Sequence, residues 1–172
     1  SDFTVAGVEM LAPRYLVMGF LEKNISLRDE IDSAIESMNS DGTLEAITDK
    51  YIHSKIPENE KIEFSRGKTK KKIRAAITGD MPPIDYVAED GTPAGFNVAV
   101  ISEISKRTGR DFELIDIESG SRTAALSSGR VDLIFWFMYM EDIKKQMDIP
   151  DGIIISKPYY KWDKFIHIKK KK

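Results

Sequence analysis

Two periodicities of hydrophobic residues organise the first fifty positions of the chain. Two apolar runs, FTVAGVEML and RYLVMGFL, predict strands and are separated by Ala12-Pro13. The next run, NISLRDEIDSAIESMNSDG, has apolar residues at helical spacing, with Ser26 as the expected N-cap and Gly42 as a left-handed stop. TLEAITDKYI then predicts a second, short helix.

The pattern after position 72 predicts alternating strands and helices. IRAAIT, FELIDI and VDLIFWF are compact apolar runs that indicate buried strands. An amphipathic run that Asn97 is expected to cap and Gly109 to end separates the first two, and SRTAALSSG predicts a short helix before the third. A β-α-β-α-β order with short turns is typical of parallel strands joined by right-handed crossovers. The predicted fold class is therefore α/β, with a mostly parallel sheet flanked by helices.

The two patterned segments are separated by a polar stretch. SKIPENEKIEFSRGKTKKK is charged and contains Pro57 and Gly67, which indicates a linker over residues 54–72. The predicted organisation is a first segment over 1–53, this linker, a second segment over 73–169 and a tail over 170–172.

The first strand of the second segment ends abruptly. Gly79-Asp80 and Pro82-Pro83 follow IRAAIT directly, before the chain restarts as a helix. In parallel sheets, ligands bind beyond the carboxyl ends of the strands, which is where this loop falls. The punctuation therefore predicts a loop that rims a cleft.

Composition narrows the function classes. The chain has 172 residues, a formal net charge of -2, no cysteine and only two histidines. It therefore offers no thiolate metal site, little basis for a zinc site or a Ser-His-Asp triad, no motif that indicates a cofactor, and no global charge that favours nucleic acid. No apolar run approaches the roughly 20 residues of a membrane span.

The second segment resembles the bacterial extracellular solute-binding proteins of family three, the amino-acid-type periplasmic receptors. The resemblance rests on IRAAITGDMPPIDYVAEDGTPAGFNVAVISEISKRTG, LSSGRVDLI, KKQMD and ISKPYYKWDKFIHI, in that order. It implies a periplasmic-binding-protein-like lobe, an extracytoplasmic location and a small-molecule ligand. Such receptors have two lobes joined by hinge strands and close around the ligand.

The first segment resembles the closing stretch of the same family. YLVMGFLEKNISLRDEIDSAIESMNSDGTLEAITDKYI matches its final strand and helices, so the chain carries the end piece before the start piece. Two explanations fit this order: a junction between tandem receptor domains, which we favour because of the linker, or a single lobe in permuted order. Exchange of the two pieces between chains would give a domain-swapped homodimer.

The resemblance also implies a binding site. Family members place an aromatic residue just before the prolines and an arginine that clamps the ligand's carboxylate; here Met81 stands at the aromatic position. The register of KKQMD puts Ile143 at the arginine, and a one-residue deletion would bring Lys144 there instead. The predicted ligand-binding residues are Asp80, Met81, Tyr86, Trp136, Tyr139 and Lys144.

Three functional hypotheses follow. The first is a solute-binding lobe of a sensor or transport receptor, which requires a second lobe or tandem domain. The second is a lobe that binds no solute and uses the aromatic run 135–139 for domain or subunit contact. The third is a dehydratase-like enzyme that uses Glu141 and Asp142, which we disfavour because adjacent carboxylates point apart in an extended segment.

Overall fold

A six-stranded sheet forms the centre of the protein. The computed structural model describes residues 14–54, 62, 64, 71–140 and 149–162, with side chains at all of these except 14 and 136–140. The strands are β1 Arg14–Leu21, β2 Ile73–Ile77, β3 Asp80–Met81, β4 Asp85–Val87, β5 Pro93–Ala94, β6 Phe112–Asp116, β7 Leu133–Met140, β8 Ile153–Ile155 and β9 Tyr160–Trp162. The helices are α1 Ile25–Ser40, α2 Thr43–Thr48, which continues into a π-helical turn Asp49–His53, α3 Phe96–Thr108 and α4 Arg122–Ser127.

Strands from both segments share this sheet. Its order is β6-β2-β7-β1-β8, β9 also pairs with β1, and β3-β4-β5 form a separate small sheet. β2 is parallel to β6 and β7, whereas β1 is antiparallel to β7, β8 and β9. The predicted α/β class is confirmed, and the sheet is mixed because β1, from the first segment, is inserted between strands of the second.

Both faces of the sheet are buried. Successive side chains of its central strands point to opposite sides, so each of these strands contributes to the packing on both faces. Ala75 and Ile77 of β2 belong to the larger apolar core, which α1 and α3 cover, and Ala76 between them belongs to the smaller core beneath α4. Full burial of a side chain such as Ile35 or Ile101 contributes about 1.5–3 kcal/mol to stability. Helices on the two faces thus depend on the same strands.

Polar contacts add to the packing between the two segments. The guanidinium of Arg110 pairs with the carboxylate of Glu30, with Nη2 and Oε2 2.9 Å apart. The main-chain N–H of Lys157 donates to Oδ1 of Asp32 over 2.7 Å, and burial raises the pKa of that carboxyl group. Both contacts join α1 to elements of the second segment.

Two predicted helix caps are wrong, and two glycine stops are confirmed. α1 begins at Ile25 after Asn24, so Ser26 lies inside the helix. α3 begins at Phe96 after Gly95, so Asn97 lies in the first turn and is buried. Gly42 and Gly109 have φ of 79° and 66°, the left-handed conformation expected where a helix ends.

Several sequence predictions fall outside the described residues. They are the strand over 3–11, most of the linker over 54–72, and the tail over 170–172. Within the linker, the described Ile62 and Phe64 are partly buried against the larger core. Of the helices in the described ranges, none is both long enough and apolar enough to cross a membrane.

Candidate functional site

The loop after β2, Thr78–Pro83, lies at the carboxyl ends of the parallel strands and is called the β2 loop here. A single buried carboxylate, that of Asp85, accepts the hydrogen bonds that hold the β2 loop in place. Oδ1 of Asp85, which is fully buried, accepts the main-chain N–H groups of Thr78 and Gly79 over 2.8 and 3.1 Å, and the hydroxyl of Thr78 as well. The β2 loop is therefore fixed by a charge that it surrounds.

The β2 loop is followed by the start of α3, and the main chain itself caps that helix. The N–H groups of Phe96 and Asn97 donate to the carbonyl oxygens of Pro83 and Ile84 over 2.9 and 2.8 Å. Gly95 makes this approach feasible: it has φ of 106°, and an added Cβ would lie 2.7 Å from the Ile84 oxygen. β2 therefore ends abruptly because the chain must return to cap the next helix, and these N–H groups are not available to an anionic ligand.

Gly79 brings the β2 loop close to the end of the neighbouring strand. A Cβ added at this glycine would lie 3.1 Å from Oδ1 of Asp116, and the glycine carbonyl accepts the N–H of Val87 over 2.9 Å. The carboxylates of Asp80 and Asp116 are both exposed. We call the carboxyl ends of β2, β6 and β7, with the described residues that follow β2 and β6, the strand-end edge.

Arg122, at the start of α4, brings a positive charge to the strand-end edge. Its Nη1 donates to the carbonyl oxygen of Phe135 on β7 over 2.8 Å, and its Nη2 donates to Oγ of Ser119 over 3.0 Å. Burial lowers the pKa of this guanidinium, and the charges of Asp85 and Asp80 partly oppose that effect. Among the described residues, no carboxylate lies within ion-pair distance of it.

Sequence analysis missed Arg122. The signal was available, because the first residues after a predicted parallel strand must approach the same edge as the β2 loop. The residue type did not indicate a functional role, since arginine at a helix start is usually solvent-exposed. The acceptor on β7 became visible only when the strands were assembled.

Comparison with known proteins identifies the architecture around this edge. The family model of bacterial extracellular solute-binding proteins, family 3, matches residues 73–172. The chain belongs to this family. The match includes β2, the β2 loop, α3 and Arg122, so the strand-end edge lies within the region that defines family membership.

One curated relative is also significantly similar to the chain. The arginine-binding extracellular protein ArtP of Bacillus subtilis (strain 168) is 32% identical over 83 residues, which is 48% of this chain and 32% of that protein. The match thus spans about a third of the relative's length. No solved structure matches the chain significantly.

The structure brings together three of the predicted ligand-binding residues of this family-3 chain. Asp80 and Tyr86 are paired between β3 and β4, and Met81 follows Asp80. Asp80 and Met81 are exposed and Tyr86 is half-buried. Trp136 and Tyr139 lie on β7, where only the backbone is described, and Lys144 lies outside the described residues together with Ile143, Glu141 and Asp142.

A concave pocket of the described part of the chain lies elsewhere. It has a volume of about 900 Å³ and is formed by α2, the π-helical turn and residues 158–162, beside the start of β1. None of the residues of the β2 loop lines it, and Arg122 does not line it either. Within the described ranges, no three acidic or histidine side chains are grouped as a metal site.

Proposed function

We propose that this chain forms one lobe of a clamshell solute receptor and that a small molecule such as an amino acid binds at its strand-end edge. The observation that carries the proposal is Arg122, whose guanidinium is held at that edge by the neutral oxygens of Phe135 and Ser119. Arginine's planar fork can pair both oxygens of a carboxylate. A ligand carboxylate would form the direct ion pair with Arg122 that no described carboxylate forms.

The negative charges of the same edge suit the other end of an amino acid. Asp80 and Asp116 are exposed on either side of Gly79, within the region that the β2 loop rims. An ammonium or guanidinium group of a ligand would be attracted to them. The similarity to an arginine-binding protein supports a cationic or zwitterionic solute as the first class to test.

The remaining predicted contacts complete the proposed site. Met81 and Tyr86 would contribute apolar surface from the small sheet, and Trp136 and Tyr139 would contribute aromatic side chains from β7. Lys144 is the competing candidate for the carboxylate. A lysine is a point charge rather than a fork, so we expect a weaker grip from it than from an arginine.

A titration followed by NMR tests the proposal and separates the two cations. The isotope-labelled full chain is titrated with L-arginine, L-glutamate and L-glutamine, and the amide signals of residues 78–81 and 122 are monitored. We expect saturable shifts at these amides for at least one amino acid. Arg122→Gln should abolish them, whereas Lys144→Gln should leave them if Arg122 is the carboxylate ligand.

Arg130→Gln is the matched control, because this exposed arginine follows α4 and lies away from the strand-end edge. The control should bind like the unmodified chain. If none of the amino acids shifts the signals of the β2 loop, or if Arg122→Gln binds normally, the proposed site is wrong.

The receptor would work by hinge closure. A ligand that contacts both lobes stabilises the closed state and shifts its population. One lobe offers half of the contacts, so the titration should give dissociation constants in the millimolar range; micromolar binding would contradict the half-site interpretation. Family-3 members are binding proteins, and we expect no turnover of hydroxy-carboxylates by this chain.

In this proposal, the chain is part of an extracytoplasmic sensor or transport receptor that is anchored to a membrane. Because strands of both segments share one sheet, the proposal takes the chain as a single lobe in permuted order, and a junction between tandem receptor domains is the alternative. Sequencing the parent gene on both sides tests this: a tandem receptor requires further family-3 sequence before residue 1 and after residue 172.

A second candidate function is contact between domains or subunits. Met81 and Val87, whose side chains are 38% and 40% exposed, present apolar surface on the small sheet that borders the β2 loop. If this surface and the aromatic run on β7 bind a second copy, light scattering should show a concentration-dependent dimer. Trp136→Ala should dissociate this dimer. If the unmodified chain is a monomer at all concentrations, this function is excluded.

Segment exchange would give a different dimer. β1 pairs with β7, β8 and β9, and the linker over 54–72 is long enough to let β1 enter the sheet of a second chain. Such a dimer would persist on dilution and in Trp136→Ala, since its interface is the core of the lobe itself.

A further inference from the structure

Asp85 is a buried carboxylate that forms no direct ion pair with any described residue. Its side chain is fully buried, and no lysine or arginine of the described ranges lies within ion-pair distance of it. Four neutral groups donate to its two oxygens: the N–H groups of Thr78 and Gly79, the hydroxyl of Thr78, and Nδ2 of Asn97 over 2.7 Å. The full set of donors explains how the charge is tolerated.

The contact with Asp85 fixes the orientation of Asn97. An ionised carboxylate only accepts hydrogen bonds, so the amide must turn its NH₂ group toward Asp85 and its oxygen away. That oxygen accepts the hydroxyl of Tyr159 over 3.0 Å. The hydrogen bonds therefore run from Tyr159 through Asn97 to Asp85, where they meet the hydrogen bonds that the β2 loop donates to the same carboxylate.

Tyr159 lies on the segment that leads from β8 to β9. Its N–H donates to the carbonyl oxygen of Leu16 on β1 over 3.0 Å, and its ring lies between those of Phe96 and Phe135, with centroids 6.1 and 6.4 Å away. Its position is thus set by β1, α3 and β7 together. The next residues form β9, which pairs with β1.

We propose that Asp85 and Asn97 are positioning residues that set the conformation of the β2 loop according to the position of Tyr159. The inference rests on the proposed function in one respect, namely that the β2 loop contacts the ligand. A displacement of the segment between β8 and β9 that moves Tyr159 would then alter the loop, and a ligand on the loop would favour one position of Tyr159.

Stability alone is a poor explanation for this arrangement. Replacing a buried charged group and its partners with well-packed apolar residues is often neutral or stabilising, so a lobe that needed only a core would not require a carboxylate here. A connected set of hydrogen bonds that meet at one carboxylate does provide a defined geometry. It joins the β2 loop to a segment more than seventy residues later in the chain.

Amide hydrogen exchange of the full chain tests the coupling without any ligand. Tyr159→Phe removes only the hydroxyl and keeps the ring contacts. We expect the amides of Thr78 and Gly79 to exchange at least about fivefold faster in this variant, the size expected for one weakened hydrogen bond, while the amides of β6 keep their rates. Asp85→Asn should accelerate the same two amides further.

Tyr51→Phe is the control, because Tyr51 is buried in the larger core on a different element. It should change overall stability without a selective effect on the β2 loop. If Tyr159→Phe leaves both loop amides unchanged, or accelerates all core amides equally, the coupling is refuted and the network is only structural.

A second readout separates failure of the coupling from failure of the proposed function. L-arginine serves as the probe in the NMR titration of the unmodified chain and of Tyr159→Phe. The coupling predicts weaker shifts at residues 78–81 in the variant. If L-arginine does not bind the unmodified chain but the selective exchange effect is present, the positioning role of Asp85 and Asn97 is supported. The proposal that the β2 loop binds this ligand is then wrong. Equal affinity of both proteins would show that the loop's geometry does not govern binding.

Discussion

Arg107 on α3 and Asp41 in the turn between α1 and α2 form an ion pair across the two segments, with Nη1 and Oδ2 2.8 Å apart. The same guanidinium donates to the hydroxyls of Ser37 and Thr43 over 2.6 and 2.9 Å. One side chain of the second segment thus contacts both helices of the first. This relationship makes the docking of α1 and α2 sensitive to pH.

Stability should fall in acid because of Asp41. Hydrogen bonds from Thr43 and from Arg107 lower the pKa of Asp41 from 3.8 to about 2. A group with a depressed folded-state pKa stabilises the fold above its unfolded pKa, and that contribution is lost as the pH falls toward the folded value. Urea unfolding from pH 6 to pH 2.5 should show Asp41→Asn less stable than the unmodified chain at pH 6, with the difference shrinking below about pH 4.

The exposed Asp151 provides the control for this titration. Asp151→Asn should unfold at the same urea concentration as the unmodified chain at pH 6. A difference for Asp41→Asn that stays constant or grows in acid would contradict the assignment.

Gly95 should not tolerate a side chain. Alanine there combines a left-handed φ of 106° with a Cβ 2.7 Å from the Ile84 oxygen, and it would push the β2 loop away from the start of α3. We expect Gly95→Ala to lower the free energy of unfolding by about 3 kcal/mol. Gly120→Ala is the matched control, since nothing lies within 4 Å of a Cβ at that position, and it should be close to neutral by thermal and urea unfolding.

Ser156 should contribute more to stability than an ordinary serine. Its Oγ accepts the N–H of Met18 on β1 over 2.9 Å and is buried, so Ser156→Ala leaves that N–H without a partner inside the protein. The expected loss is about 1–3 kcal/mol in the free energy of unfolding. Ser33→Ala removes a similar hydroxyl from an exposed position on α1 and should cost far less. Equal effects in the two variants would mean that the Met18 N–H finds another acceptor.

The two segments should stay together when the linker is cut. A protease site placed at residues 66–69 separates the first segment from the second without touching the described strands and helices. Because β1 pairs with β7, β8 and β9, the fragments should elute as one species in gel filtration and separate only in denaturant. Separate elution under native conditions would show that the segments do not form a common lobe.

Local pattern was enough to predict most of the elements. Alternating and helical periodicities indicated β2, β6, β7, α1 and α3, because side-chain burial repeats at two positions in a strand and at about 3.6 in a helix. The N-caps of the helices could not be predicted from local pattern. Ser26 and Asn97 are residue types that favour N-cap positions, but the first turn of α3 takes its acceptors from the main chain of Pro83 and Ile84, which no local rule predicts.

The candidate site, like the fold, was only partly predictable from the sequence. The order of strand, Gly79-Asp80 and Pro82-Pro83 was sufficient to predict a loop at the carboxyl end of a parallel strand, because chain direction fixes where such loops fall. Sequence could not assign Asp85 its role, since its donors come from Thr78, Gly79 and Asn97 and meet only after α3 has docked. It could not identify Arg122 either, since its main acceptor belongs to β7.

The sequence by itself determined the α/β class, the break after Ile77 and the presence of two patterned segments separated by a polar stretch, because each of these depends on neighbours in the chain. Only the tertiary structure decided that β1 lies between β7 and β8, and that Tyr159, Asn97 and Asp85 form one chain of hydrogen bonds. These contacts join residues far apart in sequence, and their geometry exists only when the sheet has brought both segments together.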